Sequence, residues 1–185
     1  MMKQKILNLP NMLTILRFLM VPVVVFLIFS KLPSYQLLAG GVVVLAYITD
    51  VFDGYFARHN HMVTDFGKIM DPAADKCMQF ALFISLSVKN PIVIPALLFL
   101  LIKDLFLGAG ATILYRKGVV MSANWYGKTA SFVTLFSLLA ILVFNPPKVF
   151  MLMLVYITVV FNLIAIIAYI STYFDTIKKM GTNKE

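Results

Sequence analysis

Five of the chain's eight acidic residues, Asp50, Asp53, Asp65, Asp71 and Asp75, fall in the single stretch DVFDGYFARHNHMVTDFGKIMDPAAD. If the chain is helical here, the three-residue spacing of Asp50 and Asp53 leaves them about 60° apart around the axis. The four-residue spacing of Asp71 and Asp75 leaves about 40°, so each pair shares a face. Two antiparallel neighbouring helices joined by a short loop could then set the pairs opposite one another and offer carboxylate oxygens from both. Four like charges at such range repel unless cations intervene. Hard, oxygen-seeking divalent ions such as Mg²⁺, Mn²⁺ or Ca²⁺ are the expected occupants. The residues between the pairs suit a phosphate-bearing ligand. Gly54 and Ala57 remove bulk beside Asp53, and Arg58 supplies a planar donor for a phosphate oxygen. Pro72 suits a first helical turn, which predicts a third helix beginning near Asp71 with Gly67 in the turn before it. Asp65 is expected to solvate that loop or cap the helix, and His59 and His61 read as interfacial residues. No serine, cysteine or histidine is placed as an obvious nucleophile, which favours direct displacement.

The elements that must carry these residues are membrane helices. The chain is 61% hydrophobic and 13% charged, with a mean hydropathy of +0.92, too apolar for an ordinary soluble domain. Apolar segments fall at 12–30, 35–57, 69–88, 91–114, 129–145 and 148–174, each long enough for a hydrocarbon core that takes about 20 helical residues. The fold class expected is therefore an all-α integral membrane protein of six transmembrane helices, forming a single domain over residues 1–185. The opening MMKQKILNLPNML combines lysines with apolar residues and meets Pro10, which predicts a short N-terminal interfacial segment that breaks at the proline. The first apolar run lacks a small-x-small cleavage site and is expected to be retained. A single cysteine, Cys77, excludes an intramolecular disulfide and a cysteine-based zinc site.

The net charge of +8 does not point to nucleic acid, because the basic residues flank hydrophobic runs as they do beside anionic lipid. Alternating the loops gathers Lys3, Lys5, Arg17, Arg58, Lys68, Lys76, Arg116, Lys117, Lys128 and the C-terminal lysines on one side. Only Lys31, Lys89 and Lys148 fall on the other. By the positive-inside rule both termini and the acidic stretch are expected to be cytoplasmic, in a multi-pass protein of the cell membrane. Tyr35, Tyr47, Trp125, Tyr126 and Tyr173 suit interfacial anchoring. Asn11, Thr14 and Arg17 of the first run could reach a nucleotide site, although Arg17 could equally snorkel to headgroups.

The pattern D50-x2-D53-G54-x2-A57-R58-x8-G67-x3-D71-x3-D75 resembles, at every fixed position, the signature of the CDP-alcohol phosphatidyltransferases. The resemblance implies transfer of a phosphatidyl group from CDP-diacylglycerol to an alcohol, with release of CMP. It also implies that Asp50, Asp53, Asp71 and Asp75 hold two divalent cations, Mg²⁺ or Mn²⁺, with Asp71 and Asp75 catalytic and Asp75 the base for the acceptor hydroxyl. Gly54, Ala57, Arg58 and Gly67 resemble the family's positions around the cytidine and its phosphates. Similar enzymes are commonly homodimers, which implies the same here through helices near the C-terminus.

The acceptor is addressed by other residues. NLPNMLTILRF and SANWYGK resemble the corresponding segments of bacterial phosphatidylglycerophosphate synthases, which implies sn-glycerol 3-phosphate, a small phosphorylated alcohol. Its phosphate would need cations, and Lys103, Arg116, Lys117 and Lys128 could form a basic pocket. Arg116 and Lys117 equally suit positive-inside anchors, whereas Lys103, beside Asp104 in an apolar run, calls for a functional role or an internal ion pair. Where those synthases begin the fourth helix with Arg-Asp or Arg-Glu and carry an arginine eight residues on, this chain has Lys103-Asp104 and Ala111. A cardiolipin-synthase-like transfer to phosphatidylglycerol is the alternative. A small cation-coupled transporter is a third reading, although the carboxylates gather near one membrane face and no inverted repeat is visible.

Overall fold

A computed structural model describes the backbone of residues 9–59, 65–116 and 125–182, with side-chain surroundings for 11–52, 67, 70–112 and 125–172. Among these residues every regular element is helical. α1 is Leu9–Phe29, α2 Tyr35–His59, α3 Asp65–Lys89, α4 Ile94–Arg116, α5 Trp125–Phe144 and α6 Lys148–Thr182, with a 3₁₀ turn at Pro91–Val93 before α4. The stretches Asn11–Phe29, Tyr35–Phe52, Pro91–Thr112, Trp125–Phe144 and Lys148–Thr172 are five candidate membrane spans. α3 matches them in length but carries Asp65, Lys68, Asp71, Asp75 and Lys76 in its first half. The chain is thus an all-helical, multi-pass membrane protein, with α3 more polar than the other helices.

The helix ends follow local chemistry. α1 closes with Ser30 donating from both its amide and its hydroxyl to the Leu27 carbonyl, ahead of Pro33. Asn90, extended at φ −135° and ψ 93°, takes the backbone that a following proline imposes. Asn145 has φ 40° and its amide reaches the Ile141 carbonyl at 3.1 Å. This is a left-handed cap of the kind asparagine tolerates, and Pro146 and Pro147 follow it.

Several boundaries differ from the sequence reading, and α6 runs on to Thr182, eight residues past its expected end. α1 begins at Leu9, ahead of the expected run, and takes Pro10 into its first turn, where a missing amide costs no hydrogen bond, so the proline suits the start of this helix. α3 begins at Asp65, placing Gly67, Asp71 and Pro72 inside the helix. Pro72 forfeits one backbone bond there, which membrane helices tolerate when neighbours compensate. α5 starts at Trp125, four residues ahead of the expected run. The N-terminal interfacial segment lies outside the described residues.

The chain forms two compact units, Met1–Lys89 with Leu139–Asn145, and Asn90–Leu138 with Pro146–Glu185. In the first, α1 packs against both α2 and α3. The buried positions of α1 are Asn11, Thr14, Arg17, Val24 and Ile28, a stripe at helical spacing whose first half is polar and whose second half is apolar. α2 buries Ala39, Val43 and Ala46, and α3 buries residues that include Ala74, Met78 and Leu82. Small side chains dominate the α2 face because helices in lipid associate by close backbone packing, not by expelling water. Gly40 shows how close this is, since a Cβ there would lie 2.7 Å from Val143 Cγ2 of α5. Lys89 caps the other end of the unit, its ammonium 3.7 Å from the Tyr35 ring centroid, a cation–π contact at an interfacial aromatic.

The second unit is held by a buried polar chain among apolar residues. Lys103 Nζ donates to Asn162 Oδ1 at 2.7 Å, and Asn162 Nδ2 donates to Thr134 Oγ1 at 2.9 Å, joining α4, α6 and α5. Each polar group satisfied in this way avoids the cost of lying unpaired in hydrocarbon.

Candidate active site

The polar half of the α1 stripe is where the carboxylates arrive. Arg17 lies one turn beyond Thr14 and is 1% exposed. Its guanidinium forks between two helices: Nη2 lies 2.7 Å from Asp50 Oδ1 on α2, and Nη1 lies 3.0 Å from Asp75 Oδ1 on α3. Thr14, also 1% exposed, donates its hydroxyl to Asp71 Oδ1 at 2.5 Å. The i, i+4 pair Asp71 and Asp75 thus contacts the i, i+3 pair Thr14 and Arg17, each helix presenting one face to the other. Arg17 does not snorkel. A planar, always-charged fork with carboxylates on both prongs is the geometry that makes arginine tolerable in a buried position.

The carboxylates are not sealed in with it. The Asp50 and Asp75 side chains keep 31% and 39% of their surface, against 2% for Arg17. They form an open acidic floor backed by one buried cation. Three carboxylates and a single guanidinium leave a negative excess, which an oxygen-seeking cation would complete. Among the described residues no group of three histidine, cysteine, aspartate or glutamate side chains is already gathered as a metal site. The donor set present is nonetheless the hard, all-oxygen kind that Mg²⁺ and Mn²⁺ take. Tyr47, one turn before Asp50, sits within electrostatic range of Asp75, Asp50 and Arg17, so it belongs to this neighbourhood and not only to an interfacial belt.

Of the residues singled out from sequence, Asp50, Asp71 and Asp75 are therefore brought to one place by α1. Gly67 is buried inside α3. Asp53, Gly54, Ala57, Arg58 and His59 lie on the last turns of α2, but their side chains, like that of Asp65, are outside the described set, as is His61 altogether. Lys103, Arg116 and Lys128 belong to the second unit. Lys103 is engaged with Asn162 and, at 3.1 Å, with Asp104, which bears out an internal ion pair. Arg116 ends α4, with its side chain outside the described set, and Lys128 is exposed in the first turn of α5. The partners that sequence reasoning underweighted are Thr14 and Arg17, and also Asn162, which it did not raise. For the first two a signal was present: Asn11, Thr14 and Arg17 recur every third residue, a polar stripe in an apolar helix. Asn162 is a lone amide in a 35-residue helix, and nothing in sequence names its partner.

Fold and site together define a polytopic helical protein with an acidic, arginine-backed floor that three helices of one bundle build. A family model described as CDP-alcohol phosphatidyltransferase matches residues 7–171, and the chain belongs to that family. The family is named for phosphatidyl transfer involving a CDP-alcohol. Among curated relatives, a CDP-diacylglycerol--glycerol-3-phosphate 3-phosphatidyltransferase of Rickettsia bellii is 39% identical over 132 residues, covering 71% of this chain and 72% of the relative. The protein of that name from Rickettsia typhi is 45% identical over 94 residues, half of this chain and 53% of the relative. The one from Bacillus subtilis is 31% identical over 153 residues, covering 76% of this chain and 79% of the relative.

Proposed function

We propose that the chain is a CDP-diacylglycerol–glycerol-3-phosphate 3-phosphatidyltransferase, which makes phosphatidylglycerophosphate and releases CMP. The observation that carries the reading is the convergence of Asp50, Asp71 and Asp75 on Arg17 and Thr14, in a chain whose relatives bear that enzyme's name. In the reaction, the acceptor hydroxyl oxygen forms a bond to the phosphorus bearing diacylglycerol. The bond from that phosphorus to the bridging oxygen breaks, and CMP leaves with the electron pair.

Asp75 takes the proton of the acceptor hydroxyl, for which its half-open carboxylate is suited. Thr14 fixes the rotamer of Asp71, and Arg17 fixes Asp50 and Asp75 relative to one another. Asp50, Asp53, Asp71 and Asp75 would hold two divalent cations, Mg²⁺ or Mn²⁺, which when bound would neutralise pyrophosphate charge and stabilise the departing CMP. Gly54, Ala57, Arg58 and Gly67 would line the donor's cytidine and phosphates. Lys103, Arg116 and Lys128 would bind the acceptor phosphate. α3 serves as a sixth span, with its acidic end and both termini cytoplasmic, and the protein works as a homodimer in the cell membrane.

The test is the product made by purified protein from CDP-diacylglycerol and labelled sn-glycerol 3-phosphate, compared with phosphatidylglycerol as acceptor. Labelled phosphatidylglycerophosphate is expected. Cardiolipin formation without it would transfer the assignment to the phosphatidylglycerol-dependent reaction, and no CMP release with either acceptor would remove the enzyme reading.

A further inference from the structure

We propose that Arg17 is a built-in counter-cation that holds the carboxylate floor assembled before a metal arrives and competes with the metal for the same oxygens. The inference rests on the metal reading given above. Arg17 is the most deeply buried charge described, 1% exposed, and it bridges Asp50 of α2 to Asp75 of α3 through separate nitrogens. Without a cation between them these neighbouring carboxylates would repel one another. With the guanidinium present, one positive charge on α1 ties both neighbouring helices to the same point. Thr14 adds the third carboxylate, Asp71, from the same face of α1.

The position has a second consequence. Oxygens that accept from a guanidinium are the ones a divalent ion would coordinate, and a fixed positive charge behind them lowers the attraction for another cation. Arg17 is thus a positioning residue with two opposed effects: it stabilises the metal-free protein and weakens metal binding. A purely structural arginine would do only the first, equally with and without metal.

The experiment uses the full-length protein in detergent micelles, as wild type, Arg17→Gln and Arg17→Lys. Mn²⁺ binding is read from the loss of the free-ion electron paramagnetic resonance signal, and thermal unfolding is followed in EDTA and in saturating Mg²⁺. Arg17→Gln is expected to lose about 5 °C or more of Tm in EDTA, to recover most of that loss in Mg²⁺, and to bind Mn²⁺ at least about threefold more tightly than wild type. Arg17→Lys, which keeps a charge but loses the fork, is expected to shift in the same directions by less and covers the case in which Arg17→Gln does not fold. A Tm loss equal in EDTA and Mg²⁺, or Mn²⁺ affinity unchanged or weakened in the folded variants, overturns the inference while leaving the metal reading intact. Absence of Mn²⁺ binding by wild type refutes the metal reading itself, and the inference with it.

Discussion

Replacing Thr14 by valine removes one hydroxyl and almost nothing else, which makes it the sharpest probe of how α1 serves the carboxylates. Thr14 is 1% exposed and its Oγ1 lies 2.5 Å from Asp71 Oδ1, a short, charge-assisted hydrogen bond. Bonds to charged groups contribute about 1.5–3 kcal/mol net, and about 1.4 kcal/mol corresponds to tenfold in rate. If Asp71 must be held in this rotamer for transfer to occur, Thr14→Val lowers turnover by about 10- to 150-fold. Thr14→Ser, which keeps the hydroxyl, stays within about threefold. The assay is CMP release from CDP-diacylglycerol micelles at saturating Mg²⁺ and glycerol 3-phosphate, with thermal unfolding alongside. Side-chain hydrogen bonds between membrane helices contribute on average about 0.6 kcal/mol to stability, so the Tm should fall by only a few degrees. Turnover of Thr14→Val within twofold of wild type would refute the claim that this bond positions Asp71.

Other perturbations test the packing and the second unit. Gly40→Val pushes a branched side chain against Val143, where a Cβ alone already lies 2.7 Å from Cγ2, and overpacking of this kind costs about 1–3 kcal/mol. Unfolding in detergent should show a clear fall in Tm, whereas Gly41→Ala, which meets nothing within 4 Å, should leave it unchanged or slightly raised. Asn162→Leu removes both the acceptor of Lys103 and a donor to Thr134. It should destabilise the protein by about 1–3 kcal/mol, and a Tm equal to wild type would show that the buried chain is not structural. Lys103→Met should raise KM for glycerol 3-phosphate at least about tenfold while leaving that for CDP-diacylglycerol unchanged. Equal effects on both substrates would remove Lys103 from the acceptor site.

How much of this was legible in the chain depends on the range of the signal. Hydropathy placed all six helices, five of them to within a few residues at both ends, because a run of about 20 apolar residues between polar breaks has few other uses. It failed at boundaries where polar residues continue a helix: Asp65 to Asp71 in α3, Trp125 to Lys128 in α5, and residues 175–182 in α6. Pro72 was misread as part of a first helical turn. A proline's effect depends on its distance from the helix start, which sequence does not state. Asp71 and Asp75 were legible as a pair sharing one face since their spacing fixes an azimuth, and Asp50 meets them at α1, whereas the Asp53 side chain lies outside the described set. That α1 would present Arg17 and Thr14 to these carboxylates was not legible, because the rotation of one helix against two others is set by tertiary packing. Lys103 beside Asp104 called for a functional role or an internal ion pair, and the structure contains the ion pair. Asn162 stayed hidden because its role exists only through contacts with two other helices.

The central claim is that the aspartate floor carries a metal-dependent phosphatidyl transfer. Its most direct test is CMP and phosphatidylglycerophosphate measured together from the purified full-length protein, as wild type and as Asp71→Asn, with Mg²⁺ and after EDTA. Equal amounts of the two products are expected from the wild type with Mg²⁺, and loss of both in EDTA and in the variant. Undiminished turnover of Asp71→Asn, or of the wild type in EDTA, would contradict the account.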